Sequence, residues 1–412
     1  MAKVLNVSFK HTVSSSLRLR LNVKAMSEEQ SSISFVKEVV NLPESKKRSN
    51  QLTKKYWAIF SLALSIVFSN IAYSIDADII LPDGFQIELY TDEVPGARSL
   101  AHGDNYLFIS SMEEGNLYAI SIDGPSREVN NFISGLYIPN GIAYHDGDLY
   151  VAEIHRVLKF ENIEDAISSG KEPEYKVISK YPTDRHHGWR YIVIGGDDRI
   201  YVPIGAPCNV CDDEGYAVIT SMNLDGSDKR IIAEGIRNSV GMTFHPITGE
   251  LWFTDNGRDM LGDNIPPCEL NKLSYEGENF GFPFCHGNDI QDPQYGSLGQ
   301  CSNITIPIQE LGPHVAPLGL KFYTGDMFPE EYHNQVFIAE HGSWNRSKKI
   351  GYRITMVTLN EGQSTSYQTF ADGWLQDEKT LGRPVDLLIM KDGSMLVSDD
   401  HNGTIYRITY SD

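Results

Sequence analysis

The sequence predicts an all-β fold, a six-bladed β-propeller with four-stranded blades around a central channel. One short signal recurs, in which a turn rich in Gly, Asp or Asn leads into an aliphatic residue, usually an aromatic one, and then a β-branched or similar residue. It occurs six times, at 107–110, 149–152, 200–203, 251–254, 336–339 and 395–398. Many short strands at regular spacing, with almost no helical periodicity, are typical of an all-β repeat architecture.

The spacing of the signal supports one blade for each occurrence. Successive signals are 42, 51, 51, 85 and 59 residues apart, and propeller repeats run at roughly 40–50 residues. The long interval contains the segment 255–305, which we interpret as an insertion on one face. Further strands are predicted at 116–120, 156–160, 217–224 and 404–409, and a short helix at 161–169. No linker divides the segment, so we predict a single propeller domain at 76–412.

The charge of the chain is unevenly distributed. Residues 1–74 hold 11 Lys and Arg against 4 Glu, a net +7, and the whole chain carries −20, so the remainder is near −27. Such acidity argues against nucleic acid as a partner. It also disfavours binding to an anionic membrane surface.

The apolar run 56–68 is typical of a secretory signal. It follows Lys54 and Lys55, and a small-x-small pattern comes after it at 72–74. A run of about 13 residues is short for a membrane span, and an uncleaved membrane anchor is the alternative. We therefore predict an N-terminal extension outside the fold at 1–53 and a signal peptide or membrane anchor at 54–74. The protein would be periplasmic or secreted, or tethered to a membrane through 56–68.

The five cysteines all lie beyond position 200 and fit export to an oxidising compartment. Cys208 and Cys211 form a CxxC pair that could be a redox pair, a metal half-site or a small disulfide loop. Zinc is disfavoured because no second CxxC or HxxxH is present. Cys268, Cys285 and Cys301 form an odd trio, from which we expect one disulfide and one free thiol.

Most blades carry a polar or basic residue just upstream of the predicted inner strand. These residues are Arg98, Asn140, the HHGWR segment at 186–190, Arg237 with Asn238, and Arg383. Because the loops on one face of a propeller converge on the channel, we expect these side chains to share one site. Converging arginines in an acidic protein would form a local anion site through bidentate contacts. For each arginine taken singly, a surface salt bridge is the alternative.

The HHGWR segment carries the candidate proton acceptor, since histidine suits general base chemistry near neutral pH. An exposed loop histidine is the simpler alternative. The acidic segment 255–269 offers enough oxygen ligands for a hard cation such as calcium, although its spacing is not that of an EF-hand. Backbone carbonyls, for example in the turn 279–281, would have to complete such a site, and a solvated acidic loop is the alternative.

Several motifs are absent from the sequence. It contains no GxSxG, HExxH, GxGxxG or P-loop pattern. Triad hydrolases, zincins, nicotinamide enzymes and NTPases are therefore disfavoured.

Six segments together resemble the pyrroloquinoline quinone (PQQ)-dependent sugar dehydrogenases. They read HHGWR, YVPIGAPCNVC, GIRNSVGMTFHPITGELWFTDNGRD, PPCELN, GENFGFPFCHG and HGSWNR. The similarity is to the L-sorbosone dehydrogenase and pyranose dehydrogenase-like branch, related to soluble glucose and aldose sugar dehydrogenases, and covers residues 80–410. It implies a six-bladed propeller with PQQ over the channel and calcium beneath it. The implied activity is oxidation of a sugar or a sugar-derived alcohol or aldehyde.

The resemblance also implies roles for individual residues. His186, four residues before Arg190, corresponds to the catalytic histidine that takes the substrate proton while hydride passes to the quinone. The residues implied to bind the cofactor are Asn140, Arg237, Asn238, Arg346 and Arg383. The implied calcium ligands are Glu269 and the carbonyl of Phe280.

The sequence departs from the family's pattern at two places. Cys268 stands where the soluble glucose enzyme has an aspartate that ligates calcium. The lysine that binds a PQQ carboxylate in that enzyme has no clear counterpart, and Arg346 or Lys348 could substitute for it.

Two other functions are compatible with the predicted fold, because propellers host many functions. One is a calcium-dependent lactonase, and the other is a non-catalytic propeller that binds a carbohydrate or a protein. For the dehydrogenase, no CxxCH haem motif is present. We therefore expect electrons to leave to a separate acceptor, a cytochrome or a quinone.

Overall fold

The computed structural model describes residues 78–123 and 126–411. The predicted extension at 1–53 and the predicted signal peptide or anchor at 54–74 lie outside the described residues. Within the described ranges, no helix is long and apolar enough to cross a membrane.

Six antiparallel sheets form the blades of a β-propeller, which confirms the predicted fold class. The strands, in chain order, are β1 (Phe85–Thr91), β2 (Leu100–His102), β3 (Tyr106–Ser110), β4 (Leu117–Ser121), β5 (Val129–Ile133), β6 (Gly141–His145), β7 (Asp148–Ala152), β8 (Arg156–Phe160), β9 (Tyr175–Lys180), β10 (Val193–Ile194), β11 (Arg199–Ile204), β12 (Val218–Asn223), β13 (Arg230–Glu234), β14 (Met242–Phe244), β15 (Leu251–Asp255), β16 (Cys268–Leu273), β17 (Glu278–Asn279), β18 (Cys285–His286), β19 (Ile290–Gln291), β20 (Gln309–Leu311), β21 (Pro317–Phe322), β22 (Val336–Glu340), β23 (Arg353–Asn360), β24 (Gln363–Ala371), β25 (Leu375–Gln376), β26 (Lys379–Thr380), β27 (Pro384–Ile389), β28 (Met395–Asp399) and β29 (Thr404–Tyr410).

The strands follow the chain from one blade to the next. Blade 1 is β2–β5, blade 2 is β6–β9, and blade 3 is β10–β13 with β17 added in parallel. Blade 4 is β14–β16 with β20, blade 5 is β21–β24, and blade 6 is β27–β29 with β1. The strand β1 pairs antiparallel with β29, so the first described strand completes the last blade and closes the ring.

The recurring sequence signal, predicted to mark the inner strand of each blade, marks the second strand instead, and the first strands lie around the channel. Strand β27, the first of blade 6, contacts β2 and β21, the first strands of the two adjacent blades. The second strands are almost wholly buried, as in β15 and β22. A strand buried on both faces needs a continuous apolar run, which explains why the second strand is the one that sequence detects.

The apolar core lies between adjacent blades. Between blades 5 and 6, for example, Phe85 packs edge-on against Phe328 and Phe370, with ring centroids 4.8 and 5.0 Å apart. Phe85 belongs to β1, so this aromatic cluster also fixes the strand that closes the ring.

Short elements account for the irregular intervals. The predicted helix is present as α1 (Ile163–Ser168). Between β16 and β20, the chain adds β17, the ribbon β18–β19 and two 3₁₀ turns (Gly296–Leu298 and Cys301–Asn303), which explains the 85-residue interval. A second ribbon, β25–β26, precedes blade 6, and a third 3₁₀ turn spans Glu330–Tyr332.

Candidate functional site

The loops that precede the first strands converge on one cavity of about 610 Å³. Its lining comes from five of the six blades. The titratable and polar residues that line it are Arg98, Glu113, Arg185, His186, His187, Arg237, Asn238, Asn256, Asp259, His314, His341, Asn345, Arg383 and Asp400. The arrangement brings together most of the polar residues expected to share one site on the channel, but Asn140 is not among the residues that line it.

Four of the predicted site residues line this cavity: His186, Arg237, Asn238 and Arg383. Each is placed there because it directly precedes, or lies shortly before, the first strand of its blade. The predicted residues Asn140 and Arg346 are placed elsewhere, and Glu269 and Phe280 line a second, smaller cavity.

Asn140 lies beneath the cavity wall and does not line it. Its Oδ1 accepts a hydrogen bond from Arg98 Nε at 2.9 Å, and its Nδ2 donates to the carbonyl of Arg190 at 3.1 Å. The amide is therefore used to orient Arg98, which does line the cavity.

Arg346 does not line the cavity. Its guanidinium donates to the carbonyl of Asp263 at 3.0 Å and to that of Lys348 at 2.8 Å. These acceptors draw it towards the neighbouring loop. Trp344 and Asn345, just before it, contribute to the cavity lining instead.

The two adjacent histidines have different environments. His187 is buried, and its Nδ1 lies 2.8 Å from the carbonyl oxygen of Ala206. Burial, and then the charge of Arg237, lower the pKa of His187 to about 2. His186 is exposed to the cavity, and partial burial followed by the Arg237 charge also lowers its pKa below the usual 6.5. The His186 imidazole is therefore neutral at neutral pH and able to accept a proton.

Arg237 is buried and its donors are all in use. Nε donates to the carbonyl of Asn209 at 2.9 Å, and Nη1 donates to the carbonyls of Asn256 and Gly257 at 3.0 and 2.9 Å. Nη2 donates to Asn209 Oδ1 at 3.0 Å and to Asp259 Oδ2 at 3.1 Å. Arg237 therefore contributes positive charge to the cavity but no spare hydrogen-bond donor.

A second arginine is held by a carboxylate that also binds a histidine. Arg98 Nη1 donates to Asp400 Oδ2 at 2.8 Å, and His341 Nε2 lies 2.9 Å from Asp400 Oδ1. Burial alone would raise the pKa of Asp400, but contacts to His341 and Arg98 outweigh it and lower the pKa. Burial lowers the pKa of His341 to about 4 against the opposing effect of Asp400. The group is therefore an ionised carboxylate between a guanidinium and a neutral imidazole.

Arg383 and Asn238 have side-chain donors that no other group in the described part of the chain uses. Arg383 Nε donates to the carbonyl of His341 at 3.3 Å, and its guanidinium lies 6.0 Å from the centre of the Tyr352 ring. Among the described residues, its two terminal nitrogens have no acceptor, and the side-chain amide of Asn238 has no partner. These groups are free to bind an anionic ligand in the cavity.

Two buried carboxylates face each other beside the main cavity. Asp255 and Glu269 are directly opposite in the antiparallel pair β15–β16. Both line a pocket of about 10 Å³ together with Phe280, roughly the space of one water-sized sphere. Burial, and then the charge of Glu269, raise the pKa of Asp255, and burial likewise raises that of Glu269. Such a pair favours a bound cation, because a cation would offset both charges.

The carboxylates are fixed by backbone donors. Asp255 accepts the N–H groups of Asn238 and Arg237 at 2.6 and 2.8 Å. Glu269 accepts the N–H of Gly287 at 2.7 Å. These contacts preorganise the oxygen atoms, and the residues fit an oxygen-liganded cation such as calcium. Asp255 was in the predicted acidic segment but was not singled out as the second carboxylate.

The cysteines resolve into two disulfides and one free thiol. Cys208 pairs with Cys211, so the disulfide loop is the alternative that the structure shows, and Cys285 pairs with Cys301. Cys268 is free and buried, as expected for one member of the trio. It lines the main cavity, and burial raises the pKa of its thiol to about 11. A neutral thiol is a poor substitute for the aspartate that the resemblance places there.

Sequence reasoning did not single out several residues that line the cavity, among them His314, His341 and Asp400. His314 directly precedes blade 5, at the position that the other blades use, so the repeat could have identified it. His341 and Asp400 follow second strands, and their contact joins residues 59 positions apart.

Known proteins are similar to this protein over most of its length. An uncharacterized protein of Borreliella burgdorferi is 37% identical over 88% of this chain and 99% of its own. A pyrroloquinoline quinone-dependent pyranose dehydrogenase of Coprinopsis cinerea is 25% identical over 43% of this chain and 31% of its own. The calcium structure of the Trichoderma reesei carbohydrate-active enzyme of family AA12 has a TM-score of 0.71 at 20% identity. It covers 83% of this chain and 100% of that chain.

The family model for TrAA12-like proteins matches residues 140–411, more than half of the chain and nearly all of blades 2 to 6. The matched range contains His186, Arg237, Asn238 and Arg383, the four predicted residues that line the cavity. On this match, the protein belongs to the TrAA12-like family.

Proposed function

We propose that this protein oxidises a sugar, or a sugar-derived alcohol or aldehyde, with PQQ as the cofactor and His186 as the general base. One observation carries the proposal: a neutral, cavity-facing imidazole shares one cavity with the free donors of Arg383 and Asn238. The Coprinopsis cinerea relative, a PQQ-dependent pyranose dehydrogenase by name, supports the cofactor and the sugar class.

The cavity has the donors that a tricarboxylate cofactor requires. Arg383 and Asn238 would hold its carboxylates directly, since their donors are free. Arg98 and Arg237 would contribute positive potential, although their ion pairs with Asp400 and Asp259 offset part of it. When bound, PQQ would supply a two-electron acceptor for a hydride from the substrate carbon.

His186 would accept the proton of the substrate hydroxyl. Its lowered pKa keeps it unprotonated at neutral pH, which a base requires. Asp259, also in the lining, partly offsets the effect of Arg237 on His186 and would favour the imidazolium formed after proton transfer. Trp189 and Leu318 add apolar surface to the lining, which would help exclude water.

We propose calcium at the pair Asp255 and Glu269, with the carbonyl of Phe280 as a further ligand. The opposed carboxylates and their raised pKa values support a cation, and backbone donors already hold them in place. The ion would supply Lewis-acid polarisation and charge compensation next to the main cavity.

We further propose export and a separate electron acceptor, a cytochrome or a quinone. Two disulfides are consistent with an oxidising compartment. The electrons taken from the substrate must leave the protein, and a separate carrier is the simplest recipient.

Reconstitution tests the proposal. Purified protein is incubated with PQQ and calcium, and reduction of a dye is followed with aldoses, sorbosone and simple alcohols. We expect PQQ-dependent dye reduction with at least one sugar, and a rate about 10²–10⁴-fold lower after His186→Asn. Failure to bind PQQ and to reduce dye with any substrate would refute the dehydrogenase, and hydrolysis of a lactone without PQQ would favour a lactonase.

A further inference from the structure

The loop between β11 and β12 carries a disulfide next to the cavity wall. It runs from residue 205 to residue 217, and Cys208 and Cys211 are joined across two residues, Asn209 and Val210. A disulfide that closes so short a ring restricts the backbone between its ends. Asn209 therefore occupies a constrained position.

Asn209 contacts both members of an ion pair in the cavity wall. Its carbonyl accepts from Arg237 Nε at 2.9 Å, and its Oδ1 accepts from Arg237 Nη2 at 3.0 Å. The same Oδ1 accepts the N–H of Asp259 at 2.8 Å, and Nδ2 donates to the carbonyl of Asp259 at 3.1 Å. Arg237 and Asp259 in turn pair at 3.1 Å. One residue thus ties blade 3 to both ends of this ion pair.

We propose that Asn209, fixed by the Cys208–Cys211 disulfide, is a positioning residue that holds Arg237 and Asp259 in the arrangement that His186 requires. The groups facing His186 are Arg237, Asp259, the backbone of Cys208, and the His187 ring at 4.0 Å between centroids. Of these four groups, Arg237 and Asp259 contact Asn209, and Cys208 belongs to the adjacent disulfide. Asn209 does not itself line the cavity, so its effect passes through its neighbours.

The electrostatic consequence has a definite direction. Burial and the charge of Arg237 lower the pKa of His186, and Asp259 opposes them. Truncating Asn209 would leave space for water beside the buried Arg237, and water would screen its charge. The His186 pKa should then rise towards its ordinary value of 6.5.

The test measures the titration of His186 in the full-length protein without cofactor. Histidine resonances are followed by NMR against pH, and His186 is assigned with a His186→Gln variant. In Asn209→Ala we expect the midpoint to rise by about half a unit. The matched control is Asn303→Ala, an exposed asparagine two residues after the other disulfide, which should leave the midpoint unchanged.

A second variant keeps the test valid should Asn209→Ala fail to fold. The double variant Cys208→Ser, Cys211→Ser releases the loop but keeps Asn209, and circular dichroism confirms folding. It should also shift the His186 midpoint, because the backbone of Cys208 contacts His186 and Asn209 contacts Arg237 and Asp259. An unchanged midpoint in the folded variants would overturn the proposal.

PQQ binding, measured by quenching of tryptophan fluorescence, is a further readout that rests on the proposed function. We expect Asn209→Ala to weaken it about tenfold, since water beside Arg237 would screen the positive potential that favours an anionic cofactor. If wild-type protein binds no PQQ, the proposed function fails. The NMR titration still decides the role of Asn209, because it needs no cofactor.

Discussion

Replacing Asp400 by asparagine tests whether the arginines of the cavity depend on carboxylate partners. Asp400 accepts from Arg98 at 2.8 Å and contacts His341 at 2.9 Å. The Arg98 side chain is 3% exposed and that of Asp400 15%. Asparagine keeps the size of the side chain and an acceptor oxygen. The substitution therefore removes mainly the negative charge beside a buried guanidinium.

The expected loss of stability follows from this burial. Removing one partner of a buried ion pair costs about 3–5 kcal/mol. Because Asp400 is partly open to the cavity, we expect water to compensate in part and the loss at pH 7 to be about 2–3 kcal/mol. His341 and Arg98 lower the pKa of Asp400 against the opposing effect of burial. Its contribution is thus present above the unfolded-state value near 3.8 and is lost as pH falls through the lower folded-state pKa.

Urea denaturation of the full-length protein without cofactor, at pH 7 and at pH values below 4, measures this effect. The difference between wild type and Asp400→Asn should shrink at the lower pH. The control is Glu88→Gln, which breaks exposed pairs with Arg127 and Arg407 and should cost less than about 1 kcal/mol. If Asp400→Asn at pH 7 costs no more than this control, Arg98 does not depend on its carboxylate.

Three further outcomes are expected from the site. His186→Asn should lower kcat about 10²–10⁴-fold with little change in PQQ affinity, and wild-type activity should fall on the acidic side at a pKa below 6.5, because the base must be neutral. Calcium at a hundredfold excess over its Kd should stabilise the wild-type protein by about 2.7 kcal/mol in thermal unfolding, and Asp255→Asn should abolish this stabilisation. Asp386 is a buried carboxylate elsewhere in the fold, and Asp386→Asn should keep the stabilisation by calcium. Arg383→Met should raise the Kd for PQQ about tenfold or more in a titration, since charged hydrogen bonds contribute about 1.5–3 kcal/mol.

The fold could be predicted because each blade repeats a strong local signal. Second strands such as β22 are buried throughout, so they must be continuously apolar. The first strands escape detection because they are short, as in β10 with two residues, and they face a channel rather than a core. Their positions could be inferred only from the polar residues that precede them.

The site could be predicted in part, because some of its residues lie next to the repeated strand signal. Arg237 and Arg383 could be identified because each lies upstream of one of the recurring strand signals. The ion-pair partners could not be assigned, since Asp259, which pairs with Arg237, and Asp400, which pairs with Arg98, lie on loops that follow second strands. Contacts such as that of His341 with Asp400 depend on how blades pack, and no local pattern records them.

Arg237 and Arg383, assigned the same role from sequence, have different hydrogen-bond partners and therefore different roles. Arg237 is buried with all its donors in use, and the acceptors include three backbone carbonyls. Such a guanidinium holds loops together and sets the potential at His186. Arg383 is only half-buried and keeps its terminal donors free among the described residues. Arg383 is therefore the arginine better able to contact an anionic ligand, because the fold does not occupy its terminal donors.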